Sequence, residues 1–278
     1  MKTKTIEELL SWAFVHELPK GGGIDGLDSM NSAWRMLQAS SWGKITAFAE
    51  LMAKVDVDRG DGGMWLEQGE AHEDALVIGQ AVADLAKCEV VIPAGWNALA
   101  DWPDDDGLVM PAVARAVERY QLRPAMRRRA GIVNLVVGTA ILGREPDWQA
   151  EPSRVRMVER GGKPAWFVER HMRDEFGRRV VMEVDGFNAR TQRPMKEAYR
   201  KYEFSDDPTG DILARLDWQM WVAALRMLEG EVGARLVEHR VRACGRSMTP
   251  WLAADRGGVM LVKFPAAKGQ PKKFENAC

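Results

Sequence analysis

The sequence predicts an α+β fold: a predominantly helical N-terminal region, a three-stranded antiparallel meander and a long C-terminal helix. Three observations lead there. Apolar residues recur at helical spacing through much of the chain up to residue 142. Between 153 and 187 the pattern becomes strand-like, punctuated by Gly161-Gly162 and by Asp174-Glu175-Phe176-Gly177, both suited to hairpin turns. Beyond a basic loop (188–203), Asp207-Pro208 supplies a cap and a first helical turn, followed by the stripe Leu213, Leu216, Met220, Ala224, Met227 and Leu228.

Taken in order, residues 5–18 predict a short amphipathic helix stopped by Pro19 and the glycines 21–23. A longer helix is expected over 31–54, with Trp34, Leu37, Ile45, Phe48, Leu51 and Met52 inward. An Asp/Gly loop at 56–63 precedes a third helix at 71–87. Residues 93–110 are irregular, rich in Pro, Trp and Asp. A fourth helix is expected to start at Pro111 and end near Pro124. A fifth, over 126–142, is apolar nearly all round and therefore a buried element.

In the meander, the Gly161-Gly162 turn pairs Met157 with Trp166 and Val155 with Val168. The second turn, a three-residue loop with a left-handed glycine, sets Trp166 opposite Val184 and Val168 opposite Met182. Both turns agree on one apolar face, which is what a specified register requires. The long helix is expected to bend or split at Gly230 and Gly233 before reaching Val241. A short strand, Val259–Phe264, and a basic end with Lys268, Lys272 and Lys273 close the chain. The expected division is a helical domain (1–148), a meander with its helix (149–245) and a loosely structured tail (246–278).

Composition bounds the class. The 278 residues carry 46% hydrophobic and 28% charged residues, a balance that belongs to folded rather than disordered chains. Eleven Trp against three Tyr point to Trp as the principal aromatic anchor of the packing. Three separated cysteines, Cys88, Cys244 and Cys278, support neither a disulfide framework nor a zinc cluster. The N-terminus lacks an apolar signal core, and the run 130–143 is too short for a bilayer of about 30 Å. A cytoplasmic protein with no membrane association is the expectation.

Charge is segregated. Residues 1–110 hold 8 Lys/Arg against 19 Asp/Glu, residues 111–203 hold 20 against 12, and residues 204–278 hold 11 against 9. Such asymmetry bears on partners rather than on fold. Arg115, Arg119 and Arg123 recur every four residues and stack on one helical face, where like charges repel. Arg127, Arg128 and Arg129 follow directly. The outer face of the meander adds Arg154, Arg156, Arg160, Lys163, His171, Arg173 and Arg179, with Phe167 as a ring able to stack a base. These residues (Arg115, Arg119, Arg123, Arg127–Arg129, Arg154, Arg156, Phe167, Arg173 and Arg179) form the candidate nucleic-acid surface. The same face carries Glu169, Glu183 and Asp185, with Arg154 expected across from Glu169, so cross-strand ion pairs are the competing account. A helix-turn-helix over 111–142 is disfavoured, because 131–143 offers no polar face for base edges.

Metal and catalytic signatures are weak. Residues 56–67 resemble a calcium loop, but Gly60 and Asp61 stand in the reverse of the order such a loop needs, and an ordinary Asp/Gly turn accounts for them. Pro146-Asp147 with Glu183-Val184-Asp185 is similar to the acid pattern of Mg²⁺-dependent nucleases, yet Asp185 stands where that pattern has lysine. Walker, GxSxG and HExxH patterns are missing. His16, His72, His171 and His239 read as surface or capping residues, His72-Glu73-Asp74 as a helix start. No cofactor is expected, and no residue is assigned as catalytic or as a metal ligand.

The stretches SAWRMLQASSWGKITAFAELM (32–52) and AYRKYEFSDDPTGDILARLDWQMWVAAL (198–225) resemble uncharacterised proteins of bacterial chromosomes and prophages. The resemblance implies a mobile-element or DNA-related setting and carries over no site residue. The leading expectation is a non-enzymatic accessory protein binding nucleic acid, DNA first, through arginines with little sequence preference. The alternatives are an interaction protein whose acidic and basic halves drive self-association, and a Mg²⁺-dependent nuclease. A homo-oligomer through the C-terminal helix, anchored by Trp218 and Trp221, is the further expectation.

Overall fold

Local sequence sets the first element and the core draws in the rest. The structure is a computed structural model and describes residues 1–20, 70–252 and the backbone of 261–263. Strand β1 (Lys2–Thr5) runs into helix α1 (Ile6–Ser11) through a capping box in which the Glu8 N–H donates to Thr5 and the Thr5 N–H donates to Glu8. A wider π-type turn, Trp12–Glu17, extends it, closed by Leu18 N–H donating to the Ala13 carbonyl at 2.8 Å. The expected helix at 31–54 and the loop at 56–63 lie outside the described residues, as do Lys268, Lys272 and Lys273.

Helix α2 (Glu73–Asp84) starts with His72 as its cap, whose Nδ1 accepts the Asp74 N–H at 3.0 Å. A tighter turn carries it to Lys87 before strand β2 (Glu89–Val91). Helix α3 (Val109–Gln121) starts two residues before Pro111, because the Asp104 carboxylate accepts the Leu108 and Val109 N–H groups and begins the turn earlier. Three residues separate it from α4 (Ala125–Leu142), which Gly143 ends in the left-handed conformation at φ 61°.

A series of short β pairs occupies residues 155–204: β3 (Val155–Met157), β4 (Glu159–Arg160), β5 (Lys163–Pro164), β6 (Phe167–Arg173), β7 (Arg179–Asp185), β8 (Phe187–Asn188), β9 (Arg193–Pro194) and β10 (Tyr202–Phe204). They form two-stranded sheets in place of the expected three-stranded one. The Gly161-Gly162 turn does form, with both glycines at positive φ, and sets Arg160 opposite Lys163. The strands part after Val158 and Ala165, and β3 pairs with β10 instead, Met157 opposite Tyr202. Pro164 itself stands in the pairing opposite Glu159, at a rung whose N–H points away from β4, and the Ala165 N–H still donates to the Val158 carbonyl at 2.8 Å before the strands part.

The β6–β7 register also differs. Val168 faces Val184 and Arg170 faces Met182, two residues from the expected alignment, and Glu169 faces Glu183 rather than Arg154. The three-residue loop is Glu175–Gly177, closed by Asp174 and Arg178, with Gly177 at φ 74°. A shift of two keeps every side chain on its face.

Helix α5 (Thr209–Val232) stops at Gly233 and does not run on to Val241. Residues His239–Arg242 form strand β11, parallel to β1, and Leu261–Lys263 form β12, antiparallel to β2. One apolar core gathers α1, α2, α3, α4 and α5, from Ile6 to Met248, so the boundary expected at 148 falls within it. Ala165 and Val168 are the buried apolar side chains of 151–207, and both stand outside that core. Trp218 and Trp221 are 2% and 3% exposed, which removes them from any surface a dimer through α5 would use. No helix among the described residues is long and apolar enough to cross a membrane.

Candidate nucleic-acid interface

The core fixes which face of α3 is left for solvent. Val109, Ala112, Val113, Ala116 and Tyr120 are buried, so the same helical period turns Arg115 and Arg119 outward, with Arg123 just beyond the last turn. The Arg123 guanidinium lies 5.6 Å from the Tyr120 ring. Arg127 and Arg129 are exposed on the first turns of α4, while half-buried Arg128 donates to the Gln121 carbonyl at 3.0 Å and ties the two helix ends together. Helix α4 starts at Pro124 with no side-chain cap, so its leading N–H groups face outward beside these arginines.

Few acids answer this cluster. Arg119 reaches Asp207 at 4.0 Å, the limit of an ion pair. The Asp207 carboxylate already accepts the Thr209 hydroxyl at 2.6 Å and N–H at 3.1 Å. Those bonds, and then Arg119 and Arg115, hold its pKa below the usual value. Glu118 is the one acid within α3 and α4. Among the described residues Arg115, Arg123, Arg127 and Arg129 make no ion pair. Among the described residues of 1–110, Asp74 pairs with His239, Asp101 with Arg215 and Glu7 with Arg246, all away from this cluster.

Beneath the corner, Asp217 on α5 sits near Arg123 and Tyr120. Burial pushes its carboxyl up to about 6, with Arg123 opposing, and burial likewise pushes the Tyr120 hydroxyl up to about 12. A raised carboxyl contributes stability that is complete below the unfolded pKa of 3.8 and lost as pH rises through about 6. Unfolding free energy should therefore fall by on the order of 3 kcal/mol between those limits, and urea titrations of Asp217→Asn should show that slope removed.

The sheet residues divide. Arg156 is paired with Glu203 at 3.0 Å, and Arg160 with Asp185 at 3.0 Å. Arg154, Arg173 and Arg179 are exposed without an ion pair among the described residues, and Arg173 stands directly opposite Arg179. Phe167 is no open platform: the Lys201 ammonium lies 5.2 Å from its ring centre and Tyr199 stacks at 6.4 Å. The acids of the nuclease pattern are engaged as well. Glu183 holds Lys201 and accepts the Tyr199 hydroxyl, Asp185 holds Arg160, and Asp147 accepts the Gln149 N–H.

One constellation was not legible in the sequence. His72, Asp74 and His239 bring a donor atom each within 4.8 Å of one another, under the Trp12 ring. Its hydrogen bonds make it a clamp rather than a metal centre. Asp74 accepts the N–H groups of Val237, Glu238 and His239 and pairs with His239 Nδ1; His72 Nδ1 accepts the Asp74 N–H, and its Nε2 faces Glu238 at 3.3 Å. A cation would have to displace bonds that hold α2 to β11. His239 is thus a buried partner, not a surface group. The calcium-like loop at 56–67 lies outside the described residues. Comparison of the chain with models of protein families, with curated proteins and with solved structures finds no match.

Proposed function

We propose that this is a non-enzymatic accessory protein of the cytoplasm that binds nucleic acid, duplex DNA first, through phosphate contacts at the α3–α4 corner. The observation that carries the reading is the group Arg115, Arg123, Arg127 and Arg129, exposed and without ion pairs among the described residues, beside the uncapped start of α4. Guanidinium forks suit phosphate oxygens, and a helix start adds N–H donors of the same electrostatic sense. The apolar character of α4 beyond Ala130 leaves nothing to enter a groove, so contacts stay with the backbone and sequence preference is slight.

Neutralising four to six phosphates predicts a slope of log K against log salt of about −4 to −5 on duplex DNA. Fluorescence anisotropy with a labelled duplex across a salt series measures it. Arg127→Gln with Arg129→Gln should weaken binding to unrelated duplexes alike and flatten the slope by about 2. Unchanged affinity in that double variant would remove the proposal.

A further inference from the structure

Among the described residues the β6–β7 hairpin has one edge without a partner strand, and its register fixes what faces outward. Beyond its two ends the Gly186 N–H donates to the Trp166 carbonyl at 2.8 Å and the Asp174 N–H to the Arg178 carbonyl at 3.0 Å, in the register of the rungs between. Hydrogen-bonded and non-bonded rungs alternate in an antiparallel pair. Even-numbered residues therefore bond across the hairpin, and odd-numbered ones turn their N–H and C=O away. Phe167 obeys this on the β6 side, exchanging bonds of 2.9 and 2.8 Å with Tyr199. On the β7 side Arg179, Val181 and Glu183 present theirs, and β7 pairs with no other strand among the described residues.

The side chains on that edge have an internal symmetry. Arg179, Val181 and Glu183 share one face, and Val180 and Met182 the other. Val181 is 55% and Met182 49% exposed. Arg179 has Arg173 across the hairpin and no ion pair among the described residues. Glu183 holds Lys201 yet keeps 29% of its side chain open.

We propose that β7 pairs antiparallel with β7 of a second copy, about a two-fold axis through Val181. In that register Arg179 of each copy lies opposite Glu183 of the other, Val180 opposite Met182, and the two Val181 meet on the axis. Every rung joins opposite charges or two apolar side chains, the self-complementarity a two-fold interface demands. A slip of two residues sets Arg179 against Val181 or Glu183 against Val181 and loses the match. The product is a four-stranded sheet, built from a hairpin that is marginal alone and an edge that otherwise invites unspecific pairing. The surface is separate from the arginine corner and does not depend on the reading of that corner.

Sedimentation velocity of the full chain over a wide range of concentration tests the pairing, with a concentration-dependent dimer expected. Val181→Pro removes an outward N–H and no bond to β6, so it should leave a monomer with an unchanged circular dichroism spectrum. Arg179→Glu and Glu183→Arg should each weaken self-association by about tenfold or more, and an equimolar mixture of the two should restore a dimer. The mixture decides even if the proline variant fails to fold. A wild-type monomer throughout, a dimer that survives Val181→Pro, or a mixture no better than its components would overturn the proposal. So would a monomeric wild type whose duplex binding is lost on Arg179→Glu, which would give the edge to nucleic acid instead.

Discussion

Arg215→Ala should lower the unfolding free energy by about 3–5 kcal/mol, the scale of a large-to-small change in the core that also strips acceptors of their donors. Arg215 is 1% exposed in the middle of α5. Its guanidinium binds the Asp101 carboxylate through both terminal nitrogens, one at 2.9 Å, and donates to the carbonyls of Ala98 and Trp148 at 2.8 and 3.1 Å. The Trp251 ring lies 4.9 Å from its centre. One side chain thus holds three segments that have no regular structure of their own: the irregular stretch before α3, the linker after α4 and the chain near residue 251. Alanine would leave the buried Ala98 carbonyl and the half-buried Trp148 carbonyl without this donor, and a cavity beside Trp251. Asp101 keeps 27% of its side chain in solvent and can be rehydrated once Arg215 is gone, whereas Asp101→Ala leaves the buried guanidinium without its counter-charge and should cost a comparable amount. Arg215→Lys should fall between wild type and alanine, since an ammonium cannot reproduce the fork. Urea unfolding followed by Trp fluorescence separates these outcomes, and an Arg215→Ala variant within about 1 kcal/mol of wild type would exclude the clamp.

The pattern of what the sequence revealed follows from the range of the interactions. Turns were legible because a glycine at positive φ is a local requirement: Gly161-Gly162 and Gly177 adopt it where expected. That Arg115 and Arg119 share one face of α3 was legible from its period, whereas their exposure depends on which face the core buries. Register was harder, since it depends on which pair closes the loop, and the Asp174–Arg178 closure moved it by two. Pairings between distant segments left no local signal. The β3–β10 pair spans the whole β region, and the parallel β1–β11 pair joins residues 2–5 to residues 239–242. Two buried polar residues of α5 went unassigned for a related reason. Arg215 and Gln219 stand one turn apart on the face of Ile212, Leu216 and Val222, a break in an apolar stripe that signals a buried partner. Gln219 accepts from Trp96 at 2.8 Å, a contact only the folded chain brings together.

Asp74 carries the second large expected effect, and for it the choice of substitution is informative. Its carboxylate is fully buried in the first turn of α2 and accepts four bonds: Val237 N–H at 2.7 Å, Glu238 N–H at 3.0 Å, His239 N–H at 3.0 Å and His239 Nδ1 at 2.8 Å. These bonds begin β11, and the next link, Lys2 N–H to the Glu238 carbonyl at 2.9 Å, ties β1 to it. Burial alone would push the carboxyl up, but the donors outweigh it and hold the pKa below the usual 3.8. Because both oxygens accept backbone N–H groups, Asp74→Asn has no good orientation: either flip sets an amide N–H against a backbone N–H. Asparagine should therefore cost nearly as much as alanine, about 3–5 kcal/mol, where an ordinary surface Asp→Asn change costs little. The contribution is present above the unfolded pKa and is lost as pH falls through the lowered folded value, so the wild type should lose stability on acidification in a way that Asp74→Asn does not. Hydrogen exchange locates the effect: amides of residues 237–239 should lose protection in either variant before those of α5 do. An asparagine variant as stable as the wild type at neutral pH would mean that the clamp is not held by charge.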